Sequence, residues 1–176
     1  NPYVVHHGRE EVRLLKLCQG HPNIIELLGA NVKYEDEDDI FREDNEIEII
    51  LRYYRRGSLA KQLQDGTWDR SMTPKIIRQL TEAVLFLHNK GIIHRDIKPG
   101  NILLSDEGDV ILCDFGIATE PSLCNSKEWG TDTSVGTLPY MAPEMCKSPP
   151  DYGYPVDVWA IGCTILQLFG CPPWDP

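Results

Sequence analysis

The sequence predicts an α+β fold, because segments with the apolar spacing of helices are mixed with short runs of β-branched and aromatic residues. The helical spacing occurs in residues 10–18, 73–91 and 156–168. The runs expected to form strands are residues 24–28 and 47–53, and a hairpin is expected over residues 102–113. A length of 176 residues without an internal repeat corresponds to one domain.

The ends of the predicted helices are marked by residues that start or stop helices. The first helix is expected to end at the turn that begins with Gly20, and a short helix is expected to follow Gly57. The longest helix has Thr73 as its expected N-cap, with Pro74 in its first turn and Gly91 as its stop.

Residues 156–168 are apolar on nearly every side, so this segment is expected to form a buried helix. The run falls short of the ~20 residues that span a bilayer, and no secretory signal is evident. The six cysteines are scattered without a CxxC pair, as expected for reduced thiols. These observations predict an intracellular, cytoplasmic protein that does not bind a membrane.

The net charge of −10 argues against nucleic acid as a partner, because phosphate backbones select basic surfaces. The charge is concentrated, since residues 35–48 contain nine acidic side chains and one basic one, Arg42. Like charges at this density repel one another, so a solvated surface loop is the expected structure. A docking site for a basic partner is the alternative.

Three short motifs carry the chemistry of the sequence. They are residues 94–101 (HRDIKPGN), residues 114–116 (DFG) and residues 142–144 (APE). Asp96 and Asn101 lie on one tight loop, and Asp114 follows a strand expected to lie beside that loop. Converging oxygen ligands suit Mg²⁺, which combines a few protein oxygens with phosphate oxygens. The motifs therefore predict phosphoryl transfer, which needs an oriented hydroxyl and metal ions held on phosphates.

In this order and spacing the motifs resemble those of the eukaryotic protein kinase family. The resemblance implies a truncated two-lobed kinase fold, with residues 1–54 in a β-rich N-terminal lobe and residues 55–176 in a mostly helical C-terminal lobe. Residues 96–101 and 136–144 resemble the serine/threonine kinases more than the tyrosine kinases. The implied reaction is transfer of the γ-phosphoryl group of ATP, with Mg²⁺, to a Ser or Thr hydroxyl of a protein substrate.

The resemblance also implies roles for individual residues. Asp96 would orient the substrate hydroxyl and accept its proton, and Lys98 would neutralise charge on the transferred group. Asn101 and Asp114 would hold the metal ions. Thr137 would bond Asp96 and Lys98 and shape the floor under the acceptor residue.

A second set of implied roles concerns the nucleotide. Glu11 would pair with the lysine that anchors ATP, with Glu10 as a neighbouring alternative and an ordinary exposed helical Glu as another. Leu51 would be the gatekeeper before a hinge that contains Tyr53, and Leu103 would lie under the adenine ring. The positions of the apolar spine that links the two lobes fall on Leu15, Leu27, His94 and Phe115.

The implied regulation centres on Arg95, which would form a positive pocket for a phosphate on the activation segment, residues 114–144. Thr133 is the expected phosphorylation site and Ser134 the next, which implies an upstream kinase as a partner. Asp157 would brace the catalytic loop, with an ordinary N-terminal helix Asp as the alternative. Cys113 is expected to fill the core, and a thiol facing the nucleotide is the alternative.

Residues 1–9 contain one glycine and no lysine, so the glycine-rich strand and the ATP-anchoring lysine of the family do not precede Glu11. After residue 176 the closing helices of the C-terminal lobe would be missing, and Glu144 would lack its arginine. The chain alone is therefore expected to transfer phosphate poorly. The two hypotheses are a fragment of an active kinase and a pseudokinase-like binding module. The first is favoured by intact Asp96, Lys98, Asn101 and Asp114.

Overall fold

A computed structural model describes residues 2–33, 46–121, 136–147, 151–171 and 173. The helices are α1 (Pro2–Leu17), α2 (Leu59–Gln64), α3 (Thr73–Asn89) and α4 (Pro155–Leu168). The strands are β1 (Leu27–Lys33), β2 (Glu46–Leu51), β3 (Ile102–Leu104) and β4 (Val110–Leu112). Helices and strands are mixed along the chain, which confirms the predicted α+β class.

The strands form two antiparallel pairs, β1 with β2 and β3 with β4. In the first pair Leu27 lies opposite Leu51, and the register shifts between Leu27 and Gly29. In the second pair Ile102 lies opposite Leu112, so the predicted hairpin is confirmed. Each pair is a separate two-stranded sheet. An isolated sheet of this size is only marginally stable, so both sheets depend on packing against the helices.

The first strand begins later than its β-branched residues predict. Ile24 forms an isolated parallel bridge with Leu112, and the Ile25 amide donates to the Leu112 carbonyl over 2.9 Å. This segment is therefore attached to β4, and the paired part of β1 starts at Leu27. Hydrogen-bond partners decided the boundary, since strand propensity depends strongly on tertiary context.

The expected N-cap role of Thr73 is wrong. A 3₁₀ turn, Arg70–Met72, runs directly into α3, so Thr73 already has helical backbone angles, with φ −52° and ψ −45°. The side chain of Asp69 caps the 3₁₀ turn by accepting from the Ser71 amide over 2.9 Å. At the other end Gly91 has φ +76°, which confirms it as the residue that stops the helix.

The expected burial of α4 on all sides is also wrong. One face is fully packed and includes Val156, Asp157 and Leu168. On the opposite side Val158 is 61% exposed and Leu166 is 51% exposed. The described residues cover only one face of this helix, so its apolar composition alone did not determine its burial.

The main core joins both sheets to the long helices. Its buried members include Leu15 of α1, Leu80 of α3, Leu112 of β4, Phe115 and Ala160 of α4. Residues 94–101, the loop predicted to be catalytic and called the catalytic loop below, lie between the end of α3 and the start of β3. Packing of these elements around one core therefore holds the loop from both ends. No helix among the described residues is long and apolar enough to cross a membrane.

Candidate active site

A polar cluster is centred on the carboxylate of Asp96, which is 8% exposed. Its Oδ2 accepts from Lys98 Nζ over 2.7 Å and from Asn101 Nδ2 over 2.8 Å. Its Oδ1 accepts from Thr137 Oγ1 over 2.7 Å. Lys98 Nζ also contacts Thr137 Oγ1 over 2.6 Å, so four side chains from two segments of the chain close one network. Charge-assisted bonds of this kind fix the orientation of a carboxylate.

Asn101 and Asp114 are brought to the same edge by backbone pairing. The Cys113 amide donates to the Asn101 carbonyl over 3.0 Å, and Asp114 follows as an exposed residue. The Asn101 Nδ2 group is engaged by Asp96 O and Oδ2, which leaves the amide oxygen as the group able to bind a cation.

These donors fit Mg²⁺ bound together with phosphate. Among the described residues no group of three or more His, Cys, Asp or Glu side chains could hold a metal ion by itself. Mg²⁺ commonly takes one or two protein oxygens and completes its shell with water and substrate phosphates. One amide oxygen from Asn101 and the Asp114 carboxylate match that requirement.

The backbone is strained at both ends of this site. Arg95 has φ 69° and Asp114 has φ 64°, both in the left-handed region that non-glycine residues seldom adopt. Such conformations cost roughly 1–3 kcal/mol each and persist only where surrounding contacts impose them. Arg95 directly precedes Asp96, and Asp114 is itself a carboxylate of the site. The strained backbone therefore lies where these two carboxylates are positioned.

Glu11 of α1 reaches the same region. The carboxylates of Glu11 and Asp114 both approach Gly116. A Cβ added at Gly116 would lie 3.6 Å from Glu11 Oε2 and 3.4 Å from Asp114 Oδ1. Burial, and secondly the charge of Asp114, raise the pKa of the Glu11 carboxyl above its ordinary 4.5. Glu11, and not Glu10, faces Asp114, since Glu10 is engaged by Arg13 over 2.5 Å.

Replacing Glu11 with glutamine is expected to stabilise this chain near neutral pH. A carboxyl whose pKa is raised on folding binds more protons in the folded state, so the free energy of unfolding falls as pH rises above 4.5. The gain should disappear below that pH, as followed by urea unfolding. Glu82→Gln is the control: it removes an exposed carboxylate paired with Arg78 over 2.9 Å, a contact that contributes about 0–1 kcal/mol. An equal gain at all pH values would contradict the expectation.

Asp157 of α4 is fully buried beneath the catalytic loop. Its Oδ1 accepts from the Arg95 amide over 2.9 Å, and its Oδ2 accepts from the His94 amide over 2.9 Å. His88 Nε2 contacts Oδ2 over 2.8 Å. The carboxylate thus accepts from two consecutive backbone amides and contacts an imidazole, whereas an ordinary Asp at a helix start would only cap its own helix.

The Arg95 side chain is held by two oxygens. Its Nε donates to the Ile117 carbonyl over 2.6 Å, and an Nη group donates to the Tyr152 hydroxyl over 2.8 Å. The expected phosphorylation sites, Thr133 and Ser134, lie outside the described residues.

Gly136 is needed where the chain returns to the catalytic loop before Thr137. It has φ +113°, and an added Cβ would lie 2.9 Å from the Arg95 carbonyl oxygen. Any side chain there would be strained and would have to displace the backbone next to Asp96. The close approach couples the end of the activation segment to the catalytic loop.

Gly136→Ala is expected to lower the free energy of unfolding by about 1–3 kcal/mol, because alanine at this φ is strained and its Cβ meets backbone. Gly153→Ala is the matched control, since its Cβ would meet nothing closer than Pro155 Cδ at 4.0 Å. Urea unfolding of the two variants makes the comparison. Equal effects would show that the contact with Arg95 is unimportant.

The residues expected at the nucleotide lie on the sheets beside the core. Leu51 ends β2 and Leu103 lies in β3, and both are partly buried against the main core. Tyr53 is 84% exposed. The expected spine positions also belong to the interior: Leu15, His94 and Phe115 are buried, Leu27 packs against the core, and the His94 and Phe115 rings are 5.2 Å apart.

The thiol of Cys113 faces inward. Its Sγ donates to the Asn101 carbonyl over 3.3 Å, and burial, followed by the charge of Asp114, raises its pKa to about 12. A thiol with that pKa stays protonated at neutral pH and is a poor nucleophile. The geometry therefore favours the interpretation of Cys113 as a packing residue.

Arg52 and Tyr54 line two cavities of about 350 and 470 Å³. Neither cavity is lined by a residue of the Asp96 network. Sequence patterns missed His88 and Tyr152, because their contacts with Asp157 and Arg95 join residues more than fifty positions apart. No local spacing signals such contacts.

Comparison with known proteins identifies the arrangement. Residues 4–176 match the model of the protein kinase domain. The chain is 37% identical over 176 residues to mitogen-activated protein kinase kinase kinase 5 of Arabidopsis thaliana, covering 94% of this chain and 22% of that protein. It is 38% identical over 158 residues to serine/threonine-protein kinase PLK4 of Nematostella vectensis, covering 88% and 15%. It is 35% identical over 171 residues to human serine/threonine-protein kinase 10, covering 93% and 16%.

The chain spans less than a quarter of the length of these relatives. The match nevertheless extends from α1 to α4 and includes every residue of the Asp96 network. The chain therefore belongs to the protein kinase domain family, and to its serine/threonine type.

Proposed function

We propose that this chain is part of a catalytic domain that transfers the γ-phosphoryl group of ATP to a Ser or Thr hydroxyl of a protein. The observation that carries the proposal is the Asp96 network, in which Lys98, Asn101 and Thr137 all donate to one carboxylate. A binding module has no need of a carboxylate aimed by three side chains. No feature of the described residues favours the pseudokinase-like alternative.

The carboxylate of Asp96 would accept a hydrogen bond from the substrate hydroxyl. It would take the hydroxyl proton as the new oxygen–phosphorus bond forms and the bond between the γ-phosphorus and the departing ADP oxygen breaks. Thr137 and Asn101 restrict the rotation of the carboxylate, so the hydroxyl would be oriented before the reaction. The ammonium of Lys98, which is shared between Asp96 and Thr137, is placed to offset negative charge beside the attacking oxygen.

ATP would supply the phosphoryl group, and Mg²⁺ would neutralise part of the negative charge on its phosphates. Asn101 and Asp114 are the residues proposed to hold the metal ions. Glu11 is proposed to receive the ATP-anchoring lysine, because its carboxylate lies near Asp114. Leu51, Tyr53 and Leu103 are proposed to border the adenine, and residues 1–54 and 55–176 are proposed to divide between the two lobes.

The substrate is proposed to be a protein, and an upstream or downstream kinase is a natural partner. The support is the name of the Arabidopsis relative, mitogen-activated protein kinase kinase kinase 5, which describes a kinase that acts on other kinases.

The function is tested with the complete protein. Radiolabelled ATP and Mg²⁺ are supplied with casein as a generic substrate, and the label is expected on phosphoserine or phosphothreonine. Asp114→Asn should lower transfer, because it removes the charged metal ligand. Wild-type protein that binds a partner but transfers no label would overturn the proposal in favour of the binding module.

Regulation by phosphorylation at Thr133 or Ser134 is a second part of the proposal. A phosphate there would carry a charge of about −1.5 to −2 and would pair with Arg95. Replacing both residues with alanine is expected to lower activity of the complete protein about tenfold or more. Ser122→Ala combined with Ser126→Ala serves as the control. Unchanged activity of the Thr133 and Ser134 variant would refute this mechanism.

A further inference from the structure

The side chain of Gln19 joins the end of α1 to the start of β1. Its Nε2 donates to the Leu15 carbonyl over 2.9 Å and to the Ile25 carbonyl over 3.1 Å. Its Oε1 accepts from the Leu27 amide over 2.9 Å. One partly buried side chain therefore makes three hydrogen bonds to the backbone of two different segments. None of the roles described above involves this residue.

A primary amide of this length matches all three partners. Each of the two carbonyls needs an N–H donor, and the Leu27 amide needs an acceptor, so Nε2 supplies two hydrogens and Oε1 supplies a lone pair. A carboxylate at this position would face two carbonyl oxygens without a donor. An aliphatic side chain would leave three backbone groups to find other partners. The chemical identity of residue 19 therefore matters, and not only its bulk.

The first of these bonds lies where α1 ends. The Leu15 carbonyl is one of the last four in the helix, and such carbonyls lack the regular amide partner four residues ahead. The chain turns away at Gly20, which has φ +93°, so the side chain of Gln19 supplies a donor that the backbone does not. Leu15 lies about one turn after Glu11. The bond therefore anchors the helix that carries the Glu11 carboxylate.

The segment on the other side of Gln19 is anchored to β4. The Ile25 amide donates to the Leu112 carbonyl over 2.9 Å, and the Leu112 amide donates to the Asn23 carbonyl over 2.9 Å. Leu112 is the last residue of β4, and Asp114 follows two positions later. A continuous series of hydrogen bonds therefore runs from α1 through Gln19 and Ile25 to the strand that precedes Asp114.

Glu11 and Asp114 are the two carboxylates at the ends of this series. They meet at Gly116, where an added Cβ would lie 3.6 Å from Glu11 Oε2 and 3.4 Å from Asp114 Oδ1. Like charges repel one another at this range, so their spacing has to be imposed by contacts elsewhere in the fold. The spacing matters because groups that bind different parts of one ligand must be held at matching distances.

We propose that Gln19 is a positioning residue for nucleotide binding. Its amide holds the end of α1 against the segment bonded to β4 and thereby sets the distance between Glu11 and Asp114. The inference rests on the proposed kinase function, which assigns these carboxylates to the lysine and the metal that hold ATP. It concerns the affinity for ATP and not the transfer step, because none of the three bonds of Gln19 reaches the Asp96 network.

The test compares Gln19→Met with Gln64→Met in the complete protein. Methionine keeps the length of glutamine but removes both the N–H donors and the carbonyl oxygen. Gln64 is exposed at the end of α2, so it is the matched control. We expect Gln19→Met to raise KM for ATP about tenfold, with kcat and KM for casein within about twofold of wild type. Gln64→Met should change none of these constants.

Hydrogen exchange supplies a readout independent of activity. The Leu27 amide and the amides of the last turn of α1, residues 14–17, should exchange faster in Gln19→Met than in wild type or Gln64→Met. If wild-type protein transfers no phosphate, the proposed function fails, and exchange in α1 still decides whether Gln19 holds the helix.

Three outcomes would overturn the proposal. The first is an unchanged KM for ATP in Gln19→Met, even with a lower melting temperature, because the role of the side chain would then be structural only. The second is an equal rise in KM for casein. The third is unchanged exchange in the last turn of α1, which would show that other contacts hold the helix.

Discussion

Asp96→Asn should lower kcat of the complete protein by about 10³-fold, the largest effect on activity expected of any single substitution here. Asparagine has the shape of aspartate but cannot take a proton. Its NH₂ group would also face a side chain that now donates to Asp96, namely Lys98, Asn101 or Thr137, so two donors would meet without an acceptor. The substrate hydroxyl would lose both its orientation and its proton acceptor. Steady-state transfer of labelled phosphate to casein measures the loss.

The control for this substitution is Asp106→Asn, at an exposed position in the turn between β3 and β4. It removes the same charge from an exposed position and should leave kcat within about twofold of wild type, as surface changes usually do. Folding of both variants is checked by thermal unfolding. An Asp96→Asn protein that keeps most of its activity would remove Asp96 from the mechanism.

Asp157→Ala should have the largest effect on stability, lowering the free energy of unfolding by about 3–5 kcal/mol. The change removes the acceptor of the His94 and Arg95 amides and of the His88 imidazole, and all three donors lie at a site with no exposed carboxylate surface. A buried donor left without a partner costs about 1–3 kcal/mol. Denaturant unfolding measures the total.

The control for Asp157→Ala is Asp65→Ala, which removes an exposed carboxylate. The comparison separates the effect of removing a buried carboxylate from the effect of removing a charge. Asp65 forms an ion pair with Lys61 over 2.9 Å, but its side chain is 45% exposed. An exposed pair of this type contributes about 0–1 kcal/mol, so Asp65→Ala should be nearly neutral. If Asp157→Ala were no more harmful than Asp65→Ala, the catalytic loop would have to be held by other contacts.

Local patterns identified most of the secondary structure. The apolar spacing around Leu80, with Gly91 beyond it, predicted α3 and its end. The two short apolar runs either side of residues 105–109 predicted the β3–β4 hairpin. These signals work because a helix face and a paired turn are encoded by residues close together in the chain.

Boundaries and burial were less well predicted. The run from Ile24 has strand-forming residues but is attached to β4, and Thr73 has cap chemistry but lies inside the helix. The apolar sequence of α4 predicted burial on all sides, and Val158 is exposed. In each case the outcome depended on which other segment was near enough to pair or pack.

The sequence by itself determined the chemistry, because Asp96, Lys98 and Asn101 lie on one short loop and Asp114 in a recognisable motif. Only the tertiary structure decided what holds that loop. Thr137 joins Asp96 across 41 positions, His88 reaches Asp157 across 69, and Gly136 closes on the Arg95 carbonyl. The physical reason is that a catalytic group is specified locally, whereas its orientation depends on buried donors and acceptors that folding brings from distant parts of the chain.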